Sequence, residues 1–127
     1  MGSNSHTILI AEDNDVTRQM MAAVLKSAGY DIVEAIDGSQ AMQKLKEIKI
    51  DVALIDLHMA PEGGFDLANN IIAEGYKCPM ILITGDEGSD LLVQTRKYGF
   101  VQVLKKPVEP ERLKALVDRV IEKIKTA

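Results

Sequence analysis

Carboxylates follow two apolar runs that are typical of buried strands. Asp56 ends the run Val52–Asp56. The adjacent acids Glu12 and Asp13 follow the run Thr7–Ala11. If these strands are parallel neighbours, three like charges meet at one edge of a sheet and repel one another unless a cation compensates them. Such oxygen-rich sites suit Mg²⁺, so the pattern points to metal-assisted phosphate chemistry.

Strand-like and helical runs alternate along the chain, which predicts a parallel sheet with helices on both faces. In the first predicted helix, Val16, Met20, Ala23, Val24 and Ser27 recur at helical spacing before Gly29. The other predicted helices cover about 39–48, 65–74 and 90–98, and a last one that starts at Pro110. The predicted strands are Thr7–Ala11, Asp31–Ala35, Val52–Asp56, Met80–Thr84 and 101–105.

Two further strand ends carry residues suited to phosphate chemistry. Thr84 ends the fourth strand, and Lys106 follows the fifth, directly before Pro107. Each candidate has a simpler interpretation, such as a helix-start acid, a turn cap, a hydroxyl bonded to its own backbone or a solvated lysine. Together they form a complementary set, because ligands of open α/β sheets bind beyond the carboxyl ends of strands.

The set supports one mechanism. Asp56 can attack phosphorus and form an aspartyl phosphate, while Glu12 and Asp13 hold the cation. The Thr84 hydroxyl and the Lys106 ammonium can then each contact one phosphoryl oxygen.

With these motifs the chain resembles the receiver domain of two-component response regulators, over about residues 7–124. The resemblance implies a CheY-like, flavodoxin-like fold: a doubly wound five-stranded parallel sheet of order 2-1-3-4-5 with five helices. It implies that residues 7–127 are the receiver domain and 1–6 a tail or cloning remnant. Asp56 is then the phosphoacceptor, Thr84 the switch hydroxyl and Lys106 the family lysine.

The resemblance also implies the ligands and partners. Glu12, Asp13 and Asp56, with the backbone carbonyl of His58, are the expected Mg²⁺ ligands. The expected donor is a sensor histidine kinase or a histidine phosphotransfer protein. The expected output is a partner protein, an output domain or a homodimer contact at the face formed by the fourth helix, fifth strand and fifth helix. The Lys106–Pro107 bond is expected to be cis.

This chain departs from the family pattern at several positions. Ala60 stands where proline is frequent, and the glycine-rich segment 62–64 predicts a looser loop. Val103 stands where the family has an aromatic switch residue, so coupling must use backbone movement after the fourth strand or another side chain. Lys105 replaces a commonly apolar residue and is expected to be an exposed charge. His58 and Asp86 are expected either to tune the lifetime of the acyl phosphate or to face solvent at the rim.

Three alternatives remain open at this point. An aspartyl-phosphate hydrolase would have a second acid where His58 stands. A nucleotide or flavin module would carry a glycine-rich phosphate loop after a strand, and none is present. A degenerate receiver would act as a phosphorylation-independent interaction scaffold. The intact acids, threonine and lysine argue against this alternative. We therefore expect a signalling switch that catalyses only its own phosphorylation and dephosphorylation.

Composition excludes other classes. A net charge of −4 and 4% aromatic residues provide no footprint for direct nucleic-acid binding. No apolar run is long enough to insert into a membrane. The single cysteine, Cys78, cannot form an internal disulfide and fits a reducing cytoplasm.

Overall fold

The computed structural model describes residues 5–126, which form five strands and five helices in strict alternation. Most of the predicted tail, residues 1–4, lies outside the described residues, as does residue 127. The elements are β1 (Thr7–Ala11), α1 (Asp15–Ser27), β2 (Asp31–Ala35), α2 (Gly38–Glu47), β3 (Val52–Asp56), α3 (Gly64–Ala73), β4 (Met80–Thr84), α4 (Ser89–Lys97), β5 (Phe100–Lys105) and α5 (Pro110–Thr126).

The five strands form one parallel sheet in the order β2-β1-β3-β4-β5, which confirms the predicted fold. The central strands β3 and β4 are buried along their whole length, as expected when helices cover both faces. Four strands have the predicted bounds. The fifth begins one residue earlier, at Phe100, whose side chain packs into the core.

Alternate residues along the strands contribute to two cores, one on each face of the sheet. Helices α1 and α5 cover one face, where Met21, Leu25 and Val117 pack on Ile10 and Leu54. Helices α2 and α3 cover the other face, and α4 lies beside β5. Helix α4 is thinly packed, since Thr95 is its one fully buried residue.

The fully buried face of α1 is not the row of residues whose spacing indicated this helix in the sequence. Val16 is 79% exposed, and the buried row consists of Arg18, Met21, Ala22 and Leu25. Both rows have helical spacing, so spacing alone does not indicate which of them faces the core. The sheet instead buries the row that begins with arginine, because polar groups accept hydrogen bonds from that side chain, as shown below. The predicted bounds of α2, α3 and α4 were late by about one residue.

Candidate functional site

The acids after β1 and β3 meet at one edge of the sheet. Ala11 pairs in register with Ile55, so the acids that follow these two residues lie side by side. Carboxylate oxygens of Glu12, Asp13 and Asp56 lie within 4.8 Å of one another. Glu12 and Asp56 are buried, whereas Asp13 is exposed.

Lys106 bridges two of these acids from the end of β5. Its Nζ lies 3.1 Å from Glu12 Oε1 and 3.3 Å from Asp56 Oδ1. The Lys106 N–H donates to the Thr84 carbonyl, which continues the pairing of β4 and β5 and directs the lysine across the strand ends. One cation thus partly offsets the three carboxylates.

The buried acid and the lysine have perturbed pKa values. Burial, opposed by the hydrogen bond from the Asn14 N–H and assisted by the neighbouring Asp56, raises the pKa of the Glu12 carboxyl to about 7. Burial alone would lower the pKa of Lys106, but its contacts with Glu12 and Asp56 outweigh this effect and raise it. Lys106 therefore does not fully neutralise the negative charge of the acidic cluster.

The donor set fits a divalent cation. Glu12 Oε1 is buried and accepts no hydrogen bond from the described residues, although it faces the Lys106 ammonium. Glu12 Oε2 accepts from the Asn14 N–H. Two buried carboxylates and one exposed carboxylate provide the hard oxygen ligands that Mg²⁺ prefers, with one side open to water and phosphate.

Asp86 contacts Thr84, His58 and Lys105 at the edge of the acidic site. Its N–H donates to the buried Thr84 hydroxyl oxygen at 3.0 Å, which leaves the Thr84 O–H free to donate elsewhere. Its carboxylate lies 2.8 Å from His58 Nε2, so the pair joins the loops after β3 and β4. Lys105 Nζ donates to the Asp86 carbonyl at 2.7 Å, and is not simply the exposed charge that the sequence indicated.

Backbone packing explains the glycines after Asp56. A Cβ on Gly64 would lie 2.6 Å from the Asp56 carbonyl oxygen, and a Cβ on Gly63 would lie 2.9 Å from that of Leu57. The glycines are thus required by close approach, which accounts for them without a loose loop. The Lys106–Pro107 bond is cis, as the resemblance implied, and so is the Ala60–Pro61 bond.

Arg18 is a site-adjacent residue that the sequence reasoning missed. Five polar or charged side chains are buried among residues 5–126, and Arg18 is one of them. Its Nη1 donates to the Glu12 carbonyl at 2.9 Å. The sequence did contain an indication of this role, since Arg18 shares a helical row with Met21, Ala22 and Leu25. A charge on an apolar row of a helix requires a buried partner.

Comparison with known proteins agrees with this geometry. Residues 8–118 match the family described as the response regulator receiver domain. The chain belongs to this family. Family membership identifies residues 8–118 as a receiver domain of the kind found in response regulators.

Curated relatives and a solved structure extend the match. The receiver is 33% identical over 108 residues to a cyclic di-GMP phosphodiesterase from Thermotoga maritima, spanning 85% of this chain and 29% of that protein. It is 26% identical to chemotaxis protein CheY of Thermotoga maritima, spanning 89% of this chain and 95% of that one. Vibrio cholerae CheY4 superposes with a TM-score of 0.86 at 28% identity, covering 91% of this chain and 98% of that one.

Several relatives are longer proteins. The chain spans 16–53% of the length of four curated relatives, among them the phosphodiesterase and an autoinducer sensor kinase/phosphatase from Vibrio cholerae. Within residues 5–126 no helix is long and apolar enough to cross a membrane.

Proposed function

We propose that this receiver is a phosphoacceptor switch that takes a phosphoryl group onto Asp56 in the presence of Mg²⁺. The observation that carries the proposal is the convergence of Asp56 with Glu12, Asp13 and Lys106 at one sheet edge. In the proposed receiver unit, residues 7–127, the metal ligands are these three acids and the His58 carbonyl. Bound Mg²⁺ supplies positive charge that neutralises the transferring phosphoryl oxygens.

The chain's own residues position the reaction. An Asp56 oxygen forms a bond to phosphorus as the bond from phosphorus to the donor histidine nitrogen breaks, and the imidazole leaves with the electron pair. Lys106, already 3.3 Å from Asp56, pairs with one phosphoryl oxygen. The Thr84 hydroxyl donates to another oxygen. This is positioning and electrostatic stabilisation, the usual basis of phosphoryl transfer.

The readout uses the loop between β4 and α4. Thr84 and Asp86 share a hydrogen bond, so a Thr84 hydroxyl that turns toward phosphate changes the environment of Asp86. Lys105 holds the Asp86 carbonyl from β5 and so links this loop to the output face. Val103 is half-buried and cannot act as an aromatic switch. We infer that Lys105 supplies the coupling side chain, shifting a two-state equilibrium.

The partners follow from this switch. A sensor histidine kinase or histidine phosphotransfer protein supplies the phosphoryl group in the cytoplasm. The face of α4, β5 and α5 contacts an output domain, a downstream protein or a second copy of the chain. Its apolar residues Leu92, Val93 and Val101 are exposed and provide area for such a contact.

The test is direct phosphorylation by a small phosphodonor. Wild-type protein with Mg²⁺ and acetyl phosphate should gain one phosphoryl group by intact mass, and chelation of Mg²⁺ should prevent it. Hydroxylamine should remove the group, as expected for an acyl phosphate. A wild type that gains none would favour the scaffold alternative, and sustained turnover of phosphomonoesters would favour a hydrolase.

His58→Ala should accelerate loss of the phosphoryl group severalfold without preventing its addition. The His58–Asp86 pair lies across the rim near Asp56, so its removal opens a path for water to the acyl phosphate. The measurement is the first-order decay of phosphoprotein after donor removal, and Asp86→Asn should act in the same direction.

The matched control is His6→Ala, which replaces the chain's other histidine, next to the opposite end of β1. This variant should decay like the wild type. Unchanged decay in both His58→Ala and Asp86→Asn would show that the pair is only a solvent-facing contact.

A further inference from the structure

Arg18 joins three segments around the acidic edge. It lies in the first turns of α1, where it is 7% exposed. Its Nη1 donates to the Glu12 carbonyl at 2.9 Å, and its Nη2 donates to Asp15 at 2.7 Å. Its Nε donates to Glu34 of β2 at 3.0 Å. The loop after β1, the start of α1 and strand β2 thus share one guanidinium.

This contact is well suited to fix a peptide plane. A guanidinium is planar, and its donors keep fixed relative directions, so two acceptors that hold it also determine where the third donor points. Asp15 and Glu34 hold the guanidinium and compensate its charge in a buried location. The third donor is directed at the carbonyl of the peptide bond between Glu12 and Asp13.

That peptide bond carries both acids of the pair. Glu12 is further restrained by the hydrogen bond of its N–H to Ala35 and by the Asn14 N–H at its carboxylate. Asp13 is exposed, and its direction depends mainly on the backbone on either side of it. A rotation of the Glu12–Asp13 peptide would move the Asp13 carboxylate away from Asp56.

We propose that Arg18 is a positioning residue for the magnesium site, which fixes the peptide between Glu12 and Asp13 so that both carboxylates converge with Asp56. This inference rests on the proposed function, because it concerns the same cation. Groups that orient metal ligands typically change metal affinity by about 10–100-fold when they are removed.

The charge of Arg18 and its positioning role predict opposite changes in the Kd for Mg²⁺ when the side chain is removed. If only charge mattered, loss of a cation beside an acidic cluster would strengthen Mg²⁺ binding. If Arg18 orients the ligands, its loss weakens binding despite the more negative surroundings. Arg18→Met keeps the apolar stem and removes the donors, so the sign of the change in Kd decides between the two.

The experiment is a Mg²⁺ titration of the full chain, followed by NMR shifts of the Glu12 and Asp13 amides, with urea unfolding measured in parallel. Arg18→Met should raise the Kd for Mg²⁺ by about 10-fold or more. In phosphorylation by acetyl phosphate, the Mg²⁺ concentration for half-maximal rate should rise equally. The rate at saturating Mg²⁺ should stay within about threefold of wild type, since Arg18 does not touch the reacting atoms.

Tyr30→Phe is the matched control. Tyr30 donates to Asp118 and joins the start of β2 to α5, away from the acidic edge, so its loss removes a half-buried hydrogen bond to a carboxylate. It should leave the Kd for Mg²⁺ within about twofold of wild type. A Kd in Arg18→Met that is unchanged or lower would overturn the proposal.

If Arg18→Met does not fold, Arg18→Lys provides the test. Lysine keeps the positive charge but cannot donate to three acceptors in fixed directions, so a rise in Kd of about threefold or more is expected with no change in charge. A Kd equal to wild type would overturn the proposal in that case. A wild type that binds no Mg²⁺ would instead contradict the proposed function itself.

Discussion

Asp56→Asn should abolish phosphorylation by Mg²⁺ and acetyl phosphate, with no added phosphoryl group detected by intact mass under conditions that convert the wild type. The asparagine amide is close in size, but it lacks the anionic oxygen that would attack phosphorus. It also removes the carboxylate that faces Lys106 at 3.3 Å. The fold should persist, because Asp56 ends β3 and its change relieves like-charge repulsion with Glu12.

Asp51→Asn controls for the chemistry of the substitution. Asp51 directly precedes β3 at the opposite end from Asp56, and its carboxylate accepts from the Thr7 N–H. An asparagine oxygen can accept the same hydrogen bond, so this variant should be phosphorylated like the wild type. A phosphoryl group on the Asp56→Asn protein would show that another side chain is the acceptor.

Without Mg²⁺, the protein should lose stability as the pH rises from about 4.5 to about 7, because of Glu12. The pKa of this carboxyl is about 7 in the folded protein and near 4.5 in the unfolded chain, so the folded state binds the extra proton between these values. Ionisation of Glu12 at higher pH therefore costs about 3 kcal/mol of the free energy of unfolding.

The measurement is urea unfolding of wild type and Glu12→Gln in chelator, near pH 5 and near pH 8. From pH 5 to pH 8, the free energy of unfolding of the wild type should fall by about 3 kcal/mol more than that of Glu12→Gln. Saturating Mg²⁺ should remove most of this difference, because the cation binds the ionised carboxylate and displaces its proton. The same linkage weakens Mg²⁺ binding by up to about tenfold for each pH unit below about 7.

Glu74→Gln, at the exposed end of α3, controls for loss of an acid elsewhere and should keep the pH dependence of the wild type. Equal pH dependence in wild type and Glu12→Gln would mean that Glu12 is not the titrating group. If the two proteins differ in pH dependence and saturating Mg²⁺ does not reduce that difference, Glu12 does not bind the cation.

Much of the site was predictable because parallel strands encode it locally. Each strand is a short apolar run, and the residue after the run lies at the carboxyl edge of the sheet. The positions of Glu12, Asp56, Thr84 and Lys106 could therefore be inferred before any distance was known. The strand order came from the resemblance, because apolar runs alone do not specify which strands are neighbours.

The contacts between the site residues could not be inferred in the same way. Asp86 contacts His58 and Lys105, which lie 28 and 19 residues away in the chain. Such contacts depend on where two loops lie relative to each other, and no periodicity records that. The expectation of an exposed Lys105 followed from the usual behaviour of lysine, and its side chain is 40% exposed. Its hydrogen bond to the Asp86 carbonyl could not be inferred from the sequence.

The sequence by itself determined the class of fold and the residue types at the strand ends, because burial of strands and helices imposes their apolar patterns. Only the tertiary structure decided which face of α1 is buried. Two rows of that helix have the spacing of a core-facing stripe, and the one that contains Arg18 packs inward because Glu12, Asp15 and Glu34 satisfy its donors. That choice depends on acceptors from separate segments, which come within about 3 Å of one another only when the chain has folded.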